Sequence, residues 1–272
     1  MSNTSLTDVY PVAAASGRRR RLLALRSATE FDAATAPDGT DAASFLPDWW
    51  HARQTEASVV EPEPETTLDR IRRLVDDPAP RTWLFAGDSL GFGSKHAKRG
   101  WIEHFSDVIR SHLARSLDIV LDTTTDEARC DRLLRNVDWR ILRFQPDVVF
   151  LMPGSGEVSQ LSFDADKLHA TLTSLVERLC DEGCEVVLCT LPPLQSSSDE
   201  LAGRLATLAE QIRSVATESG ALLVDNADRW LIAAEPDSNT PALLDKTGTR
   251  PTQHGHQKLA RNLIRALELP LR

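Results

Sequence analysis

A serine stands in the stretch Gly87-Asp88-Ser89-Leu90, directly after the short apolar run Trp83-Leu84-Phe85-Ala86. A hydroxyl placed just past the end of a strand attacks an acyl carbon when a nearby base takes its proton and polar N–H groups hold the oxyanion. The chemistry to look for is therefore attack by a serine nucleophile, and it needs a base within reach. His254 and His256 lie at the start of the last helical stretch, and His96 lies in the segment after Ser89. The other polar positions just past apolar runs are Glu127, then Gly154, Gly156 and Glu157, and finally Arg250. Asp88 reads as a residue that orders the turn around the serine, and Asp245 as a loop residue that could shift register to act as a carboxylate partner.

These residues need a frame. Five short apolar runs alternate with amphipathic stretches: Trp83–Ala86, Ile119–Leu121, Val148–Met152, Val186–Leu188 and Leu222–Val224. Between them, apolar residues recur at helical spacing, for example Leu168, Leu172, Leu175, Val176 and Leu179, or Leu201, Leu205, Leu208, Ile212 and Val215. Alternation of this kind predicts a parallel sheet covered by helices on both faces. The nearly unbroken apolar run at 148–152 suits a central strand buried on both sides. The fold class expected is α/β, a flavodoxin-like three-layer α/β/α sandwich with a five-stranded parallel sheet. Ligands of such sheets bind beyond the carboxyl ends of the strands, where all the polar positions above fall. Thr67 is expected to cap a first helix carrying Leu68, Ile71, Leu74 and Val75.

Taken together, Phe85-Ala86-Gly87-Asp88-Ser89, Asp138-Trp139-Arg140, Gln145-Pro146-Asp147-Val148-Val149 and Pro251-Thr252-Gln253-His254-Gly255-His256 resemble the SGNH/GDSL ester hydrolases over about residues 82 to 267. The resemblance implies the same fold and an ester hydrolysis with four parts. A serine of the first conserved block attacks; a glycine amide of the second and an asparagine amide of the third join it as oxyanion donors; an Asp-x-x-His of the fifth supplies the base and its orienting partner. Ser89 stands where the nucleophile stands. The second block reads Asp122-Thr123-Thr124-Thr125-Asp126-Glu127, with Glu127 in the glycine's place. The third reads Gly154-Ser155-Gly156-Glu157, with Gly156 in the asparagine's place, and the fifth reads Thr247-Gly248-Thr249-Arg250. Arginine has five donors and no acceptor, so Arg250 cannot take a proton from Ser89. The charges at 127, 157 and 250 suggest that Arg250 pairs with Glu127 or Glu157 and partly plugs the cleft, or that it binds an anion beside Ser89.

The bulk of the chain narrows the partners. The formal charge of −9 over 272 residues argues against nucleic acid, which asks for clustered Lys and Arg. The basic run Arg18–Arg21 precedes only Leu22–Leu25, too short for a signal or spanning segment, so no membrane partner is expected and the cytoplasm is the default location. Cys130, Cys180, Cys184 and Cys189 lack paired metal-ligand spacing, so no metal and no cofactor is expected. Residues 1–65 read as an irregular arm and linker, with Trp49 and Trp50 either pinning it onto a domain at 66–272 or contacting a partner. Two functions remain. One is a hydrolase-like protein with lost or strongly reduced catalysis that binds a small anionic or acyl ligand in the former cleft. The other is an esterase that uses Ser89 with a non-standard base such as His254 or His96.

Overall fold

Val148–Met152 (β3) is buried at every position, the mark of a strand covered on both faces. Its neighbours are Thr82–Gly87 (β1) and Glu185–Cys189 (β4); Ile119–Asp122 (β2) and Leu222–Val224 (β5) form the edges. The computed structural model describes residues 64–88, 99–125, 128–160, 162–194, 198–231 and 242–269. The five strands run in the order β2-β1-β3-β4-β5, every pairing parallel. This is the flavodoxin-like order, and its switch point lies between β1 and β3. The chain divides into two units, Met1–Pro64 and Glu65–Arg272. The arm expected at 1–65, with Trp49 and Trp50, lies outside the described residues apart from Pro64 and Glu65.

Helices fill the crossovers. They are Thr67–Asp76 (α1), Trp101–Asp107 (α2, continued by a wider turn to His112), Cys130–Arg135 (α3), Val137–Arg140 (α4), Ser155–Val158 (α5), Ala165–Asp181 (α6), Asp199–Ser219 (α7), Asn226–Leu231 (α8) and Gln253–Ala266 (α9). α2 packs on α9, α3 on α6, and α6 on α7. Right-handed crossovers place α2 and α9 on one face of the sheet and α3, α6 and α7 on the other. Under α2 the core is aromatic: Phe85 stacks on Phe150 with centroids 4.4 Å apart and meets the edge of Trp101 at 5.0 Å. No helix among the described residues is long and apolar enough to cross a membrane.

α1 starts one residue earlier than expected. Thr66, not Thr67, is the cap, accepting from the Asp69 amide in a reciprocal capping box. Thr67 is instead buried, and its hydroxyl donates to the Gly220 carbonyl at 2.7 Å. The amino ends of β1 and β2 are tied by Asp118, whose carboxylate accepts from Trp83 Nε1 at 2.7 Å, Arg81 N at 3.0 Å and Arg115 Nε at 2.8 Å. Arg115 in turn donates to the carbonyls of Val75, Asp77 and Ala79. Removing one partner of such a buried ion pair leaves an uncompensated charge, so Asp118→Ala is expected to lower stability by about 3–5 kcal/mol in urea unfolding. A loss below about 1 kcal/mol would show that the cluster does not stabilise the fold.

Candidate functional site

The switch point is built around the end of β1. Gly87 pairs with Met152 on β3, its carbonyl accepts from Thr125 N at 3.0 Å, and the next amide, Asp88 N, donates to the Met152 carbonyl at 2.8 Å. Gly87 has φ of +111°, and a Cβ there would lie 2.3 Å from the Met152 carbonyl oxygen. Only glycine fits on both counts. Asp88 follows, 2% exposed and bridged to Thr125. The chain is thus turned upward between β2 and β3, where the sequence places its serine. Ser89 itself, His96 and Glu127 lie outside the described residues.

At the mouth of β3, Gly154, Gly156 and Glu157 are all buried. A Cβ on Gly154 would strike the Leu191 side chain at 2.7 Å, which accounts for the glycine by packing. Glu157 does not face Arg250. Its carboxylate accepts from the Cys130 amide at 2.5 Å and from the Gly154 amide at 3.2 Å. Cys130 is the first residue of α3, and Gly154 immediately precedes α5. One side chain therefore satisfies early amides of two helices that have no partner inside them. Burial pushes the carboxyl of Glu157 up, and the amide bonds from Cys130 and Gly154 oppose that shift. The expected Arg250–Glu157 pair is corrected here: two backbone amides already hold the carboxylate, and no ion pair joins it to Arg250 among the described residues.

The segment carrying Arg250 is a small hairpin. Leu244 bridges Pro251, Thr252 N donates to Leu243 O at 2.9 Å, and Asp245 N donates to Arg250 O at 2.8 Å. Asp245 Oδ1 accepts from the amides of Thr247, Thr249 and Arg250 and from the Thr247 hydroxyl. These bonds, the Thr247 hydroxyl first, hold the Asp245 carboxyl below its ordinary range. Asp245 thus orders the loop and is not a substitute partner for a base. Arg250 is exposed at its end and forms no ion pair among the described residues.

The histidines separate. His254 is exposed in the first turn of α9. Neither it nor His256 caps that helix, because Thr252 does, accepting from Gly255 N. His256 is 2% exposed between α9 and α2, with Nδ1 lacking a hydrogen-bond partner among the described residues. Burial holds it neutral, with its pKa lowered to about 4. His104 is half-buried, with Nε2 3.0 Å from Gln253 Nε2. Among the described residues, no three His, Cys, Asp or Glu converge as metal ligands.

His256 gives the fold an acid-sensitive window. An unfolded histidine titrates near 6.5, so between about pH 6.5 and 4 the unfolded chain holds the extra proton. Stability from this group is full above pH 6.5 and falls on acidification by roughly 3 kcal/mol. His256→Gln is expected to flatten that part of the stability–pH curve in urea titrations. An unchanged slope would place the acid sensitivity elsewhere.

The sequence carried signals for two of these roles. Gly154-x-x-Glu157 has the spacing by which a glutamate reaches back to a helix start, and Asp245-x-Thr247 is an Asx-turn pattern. The burial of His256 has no local signal, since it comes from the packing of α2 on α9.

The sequence model of the GDSL-like lipase/acylhydrolase family matches residues 85–258. No curated protein matches the chain. Among solved structures, Axe2, an acetylxylan esterase from Geobacillus stearothermophilus, superposes with a TM-score of 0.61 at 20% identity, covering 71% of this chain and 96% of its own. Variants of Axe2 at a serine, an aspartate and a histidine are described as catalytic mutants. LAE5, an alpha/beta hydrolase enzyme from the metagenome of Lake Arreo, Spain, gives a TM-score of 0.61 at 18% identity, covering 70% of this chain and 96% of its own. At these identities the likeness is one of fold.

Proposed function

We propose that this chain, which belongs to the GDSL-like lipase/acylhydrolase family, binds a small anionic or acyl ligand in the cleft beyond β1 and β3, with ester hydrolysis lost or strongly reduced. Arg250 carries the reading. It stands where the family resemblance puts the base, on a hairpin ordered by Asp245, exposed and without an ion pair among the described residues. A guanidinium presented in that way offers two parallel donors to a carboxylate or similar anion. It offers no acceptor for a serine proton. Gly156, in the asparagine's place, has no side-chain donor for an oxyanion, and one such donor is worth roughly 3 kcal/mol.

A second reading keeps catalysis. Gly87 and Asp88 retain a buried turn at the switch point with φ of +111° at the glycine, ahead of the serine, and His254 is exposed at the start of α9. One experiment separates the two. The protein and its Ser89→Ala variant are compared for turnover of an activated acetyl ester and for labelling by a fluorophosphonate probe. The first reading expects no difference between them; serine-dependent turnover or labelling establishes the second.

A further inference from the structure

Gln253, the first residue of α9, reaches across to α2. We propose that it is an acid-released latch between the two helices, closed while His104 is neutral and opened when His104 takes up a proton. The inference stands apart from what the cleft binds and from whether Ser89 reacts.

The Gln253 amide touches two partners. Its Oε1 accepts from the Arg99 backbone amide at 3.2 Å, and its Nε2 lies 3.0 Å from Nε2 of His104. A backbone N–H only donates, so the side-chain oxygen must face Arg99 and the NH2 must face the imidazole. The NH2 also only donates. Nε2 of His104 is therefore bare and accepts, and the ring carries its proton on Nδ1. A protonated ring has an N–H on both nitrogens. Its Nε2–H would point at the Gln253 NH2, donor against donor. Turning the amide over brings Oε1 to the ring but sets the NH2 against the Arg99 N–H. One of the two contacts breaks either way, so the closed latch and the imidazolium exclude each other.

The setting keeps the latch closed at neutral pH. His104 is half-buried on α2. Arg99 before α2, Glu103 and Asp107 on α2, and Arg261 and His256 on α9 are the charged and titratable groups around it. The two acids are already engaged. Asp107 pairs with Arg99 Nη2 at 2.5 Å, and Glu103 Oε2 accepts from the Gly100 amide at 2.6 Å. Burial, then the Arg99 charge, hold the imidazole below the ordinary histidine range. A lowered histidine favours the closed form above its own pKa, and that preference is lost as pH falls through it. α9 continues directly from the hairpin that carries Arg250. Acid therefore loosens the tie between the foot of that hairpin and residue 99.

The test is a titration of the full chain from about pH 7.5 to 5, across the histidine range, followed by NMR at the His104 ring and the Arg99 amide. The expected result is an Arg99 amide proton that moves upfield with the same midpoint as the His104 ring, below about 6.5. His104→Gln offers an amide oxygen that accepts from Gln253 without titrating, and is expected to leave the Arg99 amide flat across the range. Gln253→Glu presents acceptors to both partners. It is expected to raise the His104 midpoint by about one pH unit or more and to keep the Arg99 amide bonded on the acid side. An Arg99 amide that does not follow His104 in the unaltered chain overturns the proposal. Persistence of its titration in His104→Gln does so too, by assigning the response to His256 or the nearby carboxylates. A His104 midpoint unchanged or lowered in Gln253→Glu overturns it as well.

Discussion

Thr247→Asp combined with Arg250→His is expected to raise Ser89-dependent hydrolysis of an activated acetyl ester by about 100-fold. A positioned general base contributes about 10²–10⁴. The lower end is expected because Gly156 still supplies no side-chain donor to an oxyanion. The hairpin makes the exchange informative. Its shape is held by the Leu244–Pro251 bridge and by Asp245 accepting from the amides of Thr247, Thr249 and Arg250, which neither exchange removes; Thr247→Asp does give up the hydroxyl bond to Asp245 and sets a second carboxylate beside it, a further reason for the lower end. The single changes should do little, since an imidazole without its orienting carboxylate, or the reverse, acts poorly. The measurement is kcat/KM for p-nitrophenyl acetate, with Ser89→Ala in each background as the reference. A gain under threefold would mean that position 250 does not reach Ser89, and the assignment of Arg250 to the base's place would fall.

Gly87→Ala is expected to cost about 4 kcal/mol. Two penalties combine at this residue. A φ of +111° is strained for any residue with a Cβ, and that Cβ would lie 2.3 Å from the Met152 carbonyl oxygen. Backbone strain of this kind costs about 1–3 kcal/mol, and forced overpacking typically adds about 1–3 kcal/mol. The clash is with the backbone of the central strand β3 at its last paired residue, which is buried and held in the ladder. Gly203 is the control: it lies within α7 with nothing inside 4 Å of an added Cβ, so Gly203→Ala should stabilise by about 1 kcal/mol through helix propensity. Both are read from urea midpoints. A loss at Gly87→Ala no larger than the change at Gly203→Ala would show that β1 and β3 separate easily at the switch point.

Much of the frame was legible along the chain because it is written in periodicity. The five apolar runs became β1 to β5, and their alternation with helical stripes required a parallel order with crossovers. Asp88 follows β1 and Gly154 to Glu157 follow β3, at the carboxyl end of the sheet, whereas Ser89 and Glu127 lie outside the described residues and Arg250 stands on a hairpin of its own. What each of them does there was less legible. Glu157 and Arg250 look like a charge pair when read in sequence, yet Glu157 is 6% exposed and bound by two amides. Asp245 looks like a spare catalytic carboxylate and is instead the residue that folds its own loop.

The sequence by itself determined the strands, the family likeness, and the missing acceptor at position 250, because these depend on residue type and local spacing. Only the tertiary structure decided which groups are already occupied. Glu157 meets Cys130 from 27 positions away, Asp118 meets Trp83 from 35, and His256 is sealed where α9 packs on α2. A carboxylate or an imidazole is available for chemistry only when burial and hydrogen bonds leave it so. Those partners come from distant strands and helices that the folded sheet brings side by side.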